Sequence, residues 1–336
     1  MRVPAAILFA VVSLAAPCLC GAGDSAVVTY RLETPAEVFR IDASVGASPE
    51  NVSDALDALT DRAADIWLNT SPDGRWLLLE TERWGCSGWA CLARVRSDIS
   101  DGGLVTIDAN VIHPEGFSAI SSDGNLVVWV GEGCGGHSRD LWKSELSGNT
   151  WTTAQCLTAV SPGDWNEEPA LSADGTEIIF GCGESLCTVS TDGTGLEVVV
   201  SLADYPGAGD WTQIKAPDFD PDGNIVFEGE AGGEMIWRKN VSDGTFEIID
   251  SSFTNDNSPC VLPDGRIASL WLNRPGNSTG VHELKIMDPN GGNELMLVTE
   301  PVDVFDVGLG CGGVAGGIFD DGFETGDPSR WNSVVP

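Results

Sequence analysis

Basic residues are scarce in this 336-residue chain: 17 Lys and Arg stand against 51 Asp and Glu, and the formal net charge is −34. Phosphate binding needs a basic face, so nucleic acid is excluded as a partner. Such a charge suits solubility outside the cell, with cation binding by clustered carboxylates as the sharper reading. Histidine is equally sparse, with only His113, His137 and His282. That number, beside cysteines spaced as in loops, argues against zinc. Long apolar runs are missing too. The run from Ala5 to Ala16 falls short of the roughly 20 residues that span a bilayer. Helical periodicity is confined to Ser53–Ala64, where one short helix is expected. The Gly-x-Ser-x-Gly elbow of serine hydrolases is absent, and its nearest approach, Gly183-Glu184-Ser185-Leu186-Cys187, falls in an expected hairpin.

The start of the chain reads as a secretory signal over residues 1–23. Met1-Arg2-Val3 supplies positive charge, Ala5–Ala16 the apolar stretch, and small residues lead to Gly23. Lipid attachment at Cys18 or Cys20 is disfavoured by the neighbouring Pro17 and Leu19. The mature protein is expected to be secreted or periplasmic, monomeric and without a transmembrane segment. Eight cysteines remain beyond the signal: Cys86, Cys91, Cys134, Cys156, Cys182, Cys187, Cys260 and Cys311. An even number in an exported chain points to disulfides.

What the chain has in abundance is a repeat. Ser71-Pro72-Asp73-Gly74, Ser121-Ser122-Asp123-Gly124, Ser172-Ala173-Asp174-Gly175, Asp220-Pro221-Asp222-Gly223 and Leu262-Pro263-Asp264-Gly265 recur in phase. Their spacing of roughly 40 to 50 residues is that of a four-stranded propeller blade. Asp-Gly is expected to supply the positive backbone angles of a hairpin turn. An apolar run such as Trp76-Leu77-Leu78-Leu79 or Glu177-Ile178-Ile179-Phe180 follows each turn and suits a strand buried on both faces. Alternating third strands (Asp140–Glu145, Met235–Lys239, His282–Met287) and closing strands (Leu196–Val200, Phe246–Ile249, Leu295–Thr299) complete the unit.

The order Ser-Pro-Asp-Gly, apolar strand, Leu-Trp strand, Asp-Gly-Thr, Leu-Thr resembles the TolB-like propeller repeat, related to the propeller of prolyl-oligopeptidase-type enzymes. The likeness covers about residues 60 to 300. It implies an all-β propeller of four-stranded blades over residues 24–310, and many unrelated functions use such blades. Six blades are expected, one a composite of both termini, with five as the alternative. Val27–Leu32 and Glu37–Ile41 supply strands at one end, and Val302–Leu309 offers one at the other. In this frame Cys86 with Cys91 and Cys182 with Cys187 each staple a hairpin, Cys134 faces Cys156, and Cys260 is left for Cys311. Residues 311–317 read as a Gly-rich linker. Residues 318–336 resemble a short Asp-Gly-Phe-Glu…Gly-Asp…Trp tail found at the ends of exported bacterial proteins, read as a docked tail or as a sorting or attachment signal.

Candidate site residues cluster where one blade leads to the next. Asp164-Trp165-Asn166-Glu167-Glu168 precedes the third blade, Asp210-Trp211 the fourth and Asp256 the fifth. His137 and Arg139 sit in a Gly-rich loop expected on the same face, the usual place for a ligand at a propeller mouth. Trp165 and Trp211 suit stacking on a sugar or clamping a peptide. Asp164, Asp210 and Asp256 are the candidate calcium ligands. The competing reading has the aspartates accepting hydrogen bonds from neighbouring turns and the tryptophans packing between blades. The function expected is an exported non-enzymatic binding or scaffolding module for a protein, peptide or glycan at the channel mouth. The alternative is an extracytoplasmic carbohydrate-active enzyme with acids at that mouth.

Overall fold

A computed structural model describes residues 26–32, 37–87, 90–107, 110–206, 213–230, 234–250, 256–271, 282–302 and 309–313. The expected signal segment, the tail from residue 318, Asp210 and Trp211 lie outside these residues. No described helix is long and apolar enough to cross a membrane.

The chain is a six-bladed β-propeller of antiparallel, four-stranded blades. Blade 1 runs from Asp65–Thr70 through Trp76–Thr81 and Cys91–Arg96 to Gly102–Leu104. Blades 2, 3, 4 and 5 begin with Ser118–Ile120, Asn166–Leu171, Ile214–Phe219 and Asp256–Val261 as their innermost strands. Blade 6 is composite. The C-terminal strand Gly310–Gly313 pairs antiparallel with Ala26–Leu32, which pairs with Glu37–Asp42 and then Glu50–Asn51. The expected helix is a single turn, Val52–Leu56, capped by the Asn51 side chain accepting from Asp54 N.

Four of the five turns begin with a Ser hydroxyl or Asp carboxylate that bonds the strand behind it, and Leu262 stands there in the fifth. In blade 1, Ser71 Oγ donates to Asp73 and accepts from Trp76 N, while Gly74 N donates to Ser71 O. Ser121, Ser172 and Asp220 repeat the device. Only the glycine of each Asp-Gly step adopts a left-handed backbone (Gly74 φ 71°, Gly223 φ 79°), so the sequence expectation holds for one residue of the two.

The apolar second strands are buried on both faces because a blade is sandwiched between two others. Leu77 and Leu79 pack toward blade 6, against Val38, Val52 and Leu56. Trp76 and Leu78 face blade 2, against Ile120, Val127 and Trp129. Four further clusters fill the remaining interfaces, as with Phe180 beside Val128 and Phe227 beside Ile179. Each fully buried Leu or Phe contributes about 1.5–3 kcal/mol.

Ring closure falls later in the chain than the apolar Val302–Leu309 suggested. The closing strand is Gly310-Cys311-Gly312-Gly313, whose last three residues belong to the stretch 311–317 expected to be linker. Backbone crowding explains its composition. A Cβ on Gly310 would sit 2.2 Å from Thr29 Oγ1, and one on Gly312 would sit 2.5 Å from Ser71 O. Four disulfides are formed: Cys86–Cys91, Cys134–Cys156, Cys182–Cys187 and Cys260–Cys311. The last joins the innermost strand of blade 5 to the closing strand across 51 residues of chain. A loop of that length corresponds to about 4 kcal/mol in the chain-entropy picture.

One buried acid stands apart. Glu80, 2% exposed at the interface of blades 1 and 2, has no hydrogen-bond partner for Oε1 among the described residues. Burial pushes its carboxyl well above the usual range. The folded state therefore holds that proton more tightly than the unfolded chain, and stability is lost as pH rises past the ordinary carboxyl range. Glu80→Leu should stabilise the protein at pH 8 by roughly 1–3 kcal/mol, with a smaller gain at pH 5. Urea denaturation at the two pH values measures this, and a loss of stability at both would contradict it.

Candidate functional site

The innermost strands enclose a cavity of about 410 Å³ along the propeller axis. Every blade contributes to its wall: Asn69 and Thr70, Ser118–Ile120, Glu167–Leu171, Lys215–Asp218, Ser258–Cys260 and Cys311. Three of these strands share a local irregularity. The ladder slips between Glu167 and Ala170, between Lys215 and Asp218, and between Asn257 and Cys260. At each slip the residue before a proline is left-handed: Glu168 (φ 56°), Ala216 (φ 48°) and Ser258 (φ 50°). A non-glycine residue there, with proline following, is strained, and such strain persists only where the surroundings hold it.

Carboxylates from the preceding blade do the holding. Glu168 Oε2 accepts from Ala216 N at 2.5 Å, and Glu228 Oε2 accepts from Ser258 N at 3.0 Å. Asp218 accepts from Val261 N at 2.7 Å. A second regularity links the blades sideways. The residue four before the turn aspartate reaches the next blade as an amide in blade 1 (Asn69 Nδ2 to Ser118 O, 2.7 Å), as a carboxylate in blade 4 (Asp218), and as a disulfide in blade 5 (Cys260).

Charge in the channel is uneven. Arg139 bonds Glu167 at 3.1 Å, with Glu115 at 3.9 Å, and its guanidinium lies 4.6 Å from the Trp165 ring. Lys215 pairs with Glu228 at 3.0 Å. Burial works against the lysine's charge, but the Glu228 carboxylate prevails and its pKa is raised. Glu168 and Asp218, both half-buried, bond to no basic side chain among the described residues. Burial raises Glu168, Asp218 and Glu228 to about 7 each, despite the backbone N–H groups that favour their charged forms.

The expected site residues separate into two groups. Arg139, Trp165, Glu167 and Glu168 come together on the cavity wall, and Trp165 remains 47% exposed. Asp164 and His137 instead lock blade 2 to the entry of blade 3. Asp164 accepts from Ser138 N and Oγ at 3.0 and 2.7 Å, which holds its carboxyl below the usual range. His137 Nδ1 lies 2.9 Å from Asp140, a buried carboxylate that also accepts from Thr158, Asn166 and Cys134 N. Asp256 is placed by its backbone alone, paired with Trp271. Of the three candidate calcium ligands, then, only Asp164 has a described side chain, and Ser138 occupies it. Among the described residues, the two clusters with metal-ligand proximity, around His113 and around Asp140, each rely on disulfide-bonded sulfurs. Those sulfurs have no thiolate to offer.

Lys215, Asp218 and Glu228 escaped the sequence reading. A signal was present: Pro169, Pro217 and Pro259 each stand five residues before a turn aspartate, marking the strained wall positions.

The three raised carboxyls set a pH dependence. Each is protonated more readily in the folded state, so its contribution is present at low pH and is lost as pH rises from about 4 toward about 7. Tm should fall between pH 5 and pH 8, and Asp218→Asn, which keeps an oxygen for Val261 N, should flatten the fall. A Tm that rises over this interval in both proteins would contradict the assignment.

No family model matches the chain. No curated protein matches it either. Solved structures do. A TolB-type protein of Agrobacterium tumefaciens superposes with a TM-score of 0.58 at 18% identity, over 87% of this chain and 98% of its own. TolB of Acinetobacter baumannii gives 0.61 at 15% identity, over 86% of this chain and 66% of its own. Hydrazine synthase of Kuenenia stuttgartiensis gives 0.53 at 14% identity, over 84% of this chain and 48% of its own. At such identities what is shared is the fold, and the chain is a propeller of the architecture found in TolB.

Proposed function

We propose that this chain is an exported, non-enzymatic binding propeller that takes a protein or peptide segment at its channel mouth. The single observation that carries the reading is the axial cavity with a half-exposed tryptophan at its wall. Aromatic and arginine anchors beside a pocket are where binding energy concentrates. Trp165 and Arg139 stack on one another, so one indole face is already covered. That arrangement favours a peptide, which uses edge contacts and hydrogen bonds, over a sugar ring laid flat on the indole. Phe117, Pro169, Pro217, Pro259 and Leu309 add an apolar wall for side chains. The disulfides and the strongly acidic composition support export.

Peptides selected from a random phage-displayed library against the folded protein supply the test. Their affinity, read by fluorescence polarisation, should drop about 30-fold or more in Trp165→Ala, the scale of an interface anchor worth about 2 kcal/mol. Selected peptides that bind Trp165→Ala unchanged would overturn the site, and turnover of a polysaccharide by the protein would replace the function.

A further inference from the structure

The channel wall carries more than shape. Two of its carboxylates are bound up with cations: Glu167 with Arg139, and Glu228 with Lys215. Two others, Glu168 and Asp218, face the same cavity without a basic partner among the described residues. Their hydrogen bonds come from the backbone: Ala216 N to Glu168, and Phe219 N and Val261 N to Asp218. Those bonds fix where the carboxylates point; Lys215, already paired with Glu228, acts on Glu168 only in part against its burial, and no cation acts on Asp218. Around them stand Phe117, Pro169, Pro217, Pro259 and Leu309. Among the described side chains, the innermost strands of blades 1, 2, 5 and 6 add no charged group to the lining. An anionic group entering this space would meet uncompensated negative charge in a poorly solvated wall. A neutral group would leave the two acids as they are. A cation with an apolar neighbour would satisfy both features at once.

We infer that the occupant enters the channel as a cation, an ammonium group on a peptide with an apolar residue beside it, held by the carboxylates of Glu168 and Asp218. The inference rests on the channel reading above and narrows it to one chemical class. Peptide amino termini and lysine side chains share that class. The raised pKa values fit the assignment, because an arriving ammonium draws both groups back to their charged forms. The other charged groups near them are Glu167, Lys215 and Glu228 at the wall, Arg139 at the mouth, and Asp220 beside Asp218. Affinity for a lysine ammonium should therefore increase as pH goes from 6 to 8, the range in which Glu168 and Asp218 lose their protons, whereas an amino terminus, which itself loses its proton near pH 8, should gain only up to about pH 7.

Four short probes test this on the full-length protein by calorimetry in 150 mM NaCl: Ala-Phe amide with a free amino terminus, and acetylated Lys-Phe, Ala-Phe and Glu-Phe amides. At least one ammonium-bearing probe should bind ten-fold or more tightly than acetylated Ala-Phe amide, and acetylated Glu-Phe amide should bind most weakly. Which of the first two binds better tells an amino terminus from a lysine. Glu168→Gln and Asp218→Asn, which keep an oxygen for the backbone N–H, should each lower cation affinity at least five-fold. Asp192→Asn with Asp243→Asn removes two exposed turn charges and should change nothing. Equal binding of charged and neutral probes overturns the inference. So does an equal loss in the turn variant, which would mark attraction to overall charge. If library-selected peptides lose affinity in Trp165→Ala yet carry no ammonium group at the binding end, the channel reading stands and the cation assignment falls.

Discussion

The propeller depends on closing its ring with four residues that have almost no side chains. Gly310–Gly313 lies between the N-terminal strand of blade 6 and the first turn of blade 1. Nothing larger than glycine fits at Gly310 or Gly312, so apolar burial, which joins all six pairs of neighbouring blades, adds little at these two positions of the closing strand. Backbone bonds to Ala26–Thr29 and the Cys260–Cys311 bridge hold the strand instead. With the ring closed, each blade has neighbours on both sides and the inner edges of the sheets are covered.

The innermost strands surround the cavity, and three adjacent ones bulge at a residue before proline. In blades 4 and 5 the innermost strand turns backbone N–H groups toward the preceding blade, where acids supply the acceptors. A structural need for acceptors thus gathers carboxylates at the wall of the axial cavity. Glu228 has found a cation in Lys215, while Glu168 and Asp218 bond to no basic side chain among the described residues, and the inferred preference for a cation rests on that difference.

The fold was legible because its signals are local. Asp-Gly steps in phase, with apolar runs behind them, mark hairpins whichever blade they belong to, and the composite sixth blade followed from the strand-like Val27–Leu32. The closing strand was not legible, since Gly-Cys-Gly-Gly has no strand propensity and is selected by close backbone approach that only the folded ring reveals. Part of the site was legible in Arg139, Trp165, Glu167 and Glu168, which lie beside a blade junction in sequence. Asp164 and His137 look the same in sequence, but neighbouring turns claim them. Lys215 and Asp218 belong to an innermost strand whose inward direction depends on the bulge, a register change invisible to simple alternation, and Glu228 lies on the second strand beside it.

Hydrogen exchange of the innermost-strand amides in the Cys311→Ser variant tests the dependence on ring closure most directly. If the closing strand holds the whole ring, Ala216, Ser258 and Val261 of blades 4 and 5 and Ser118 of blade 2 should lose protection together with Val28 and Thr29. Loss confined to the strands that touch Gly310–Gly313, with the distant blades still protected, would show that the blades stand without the clasp.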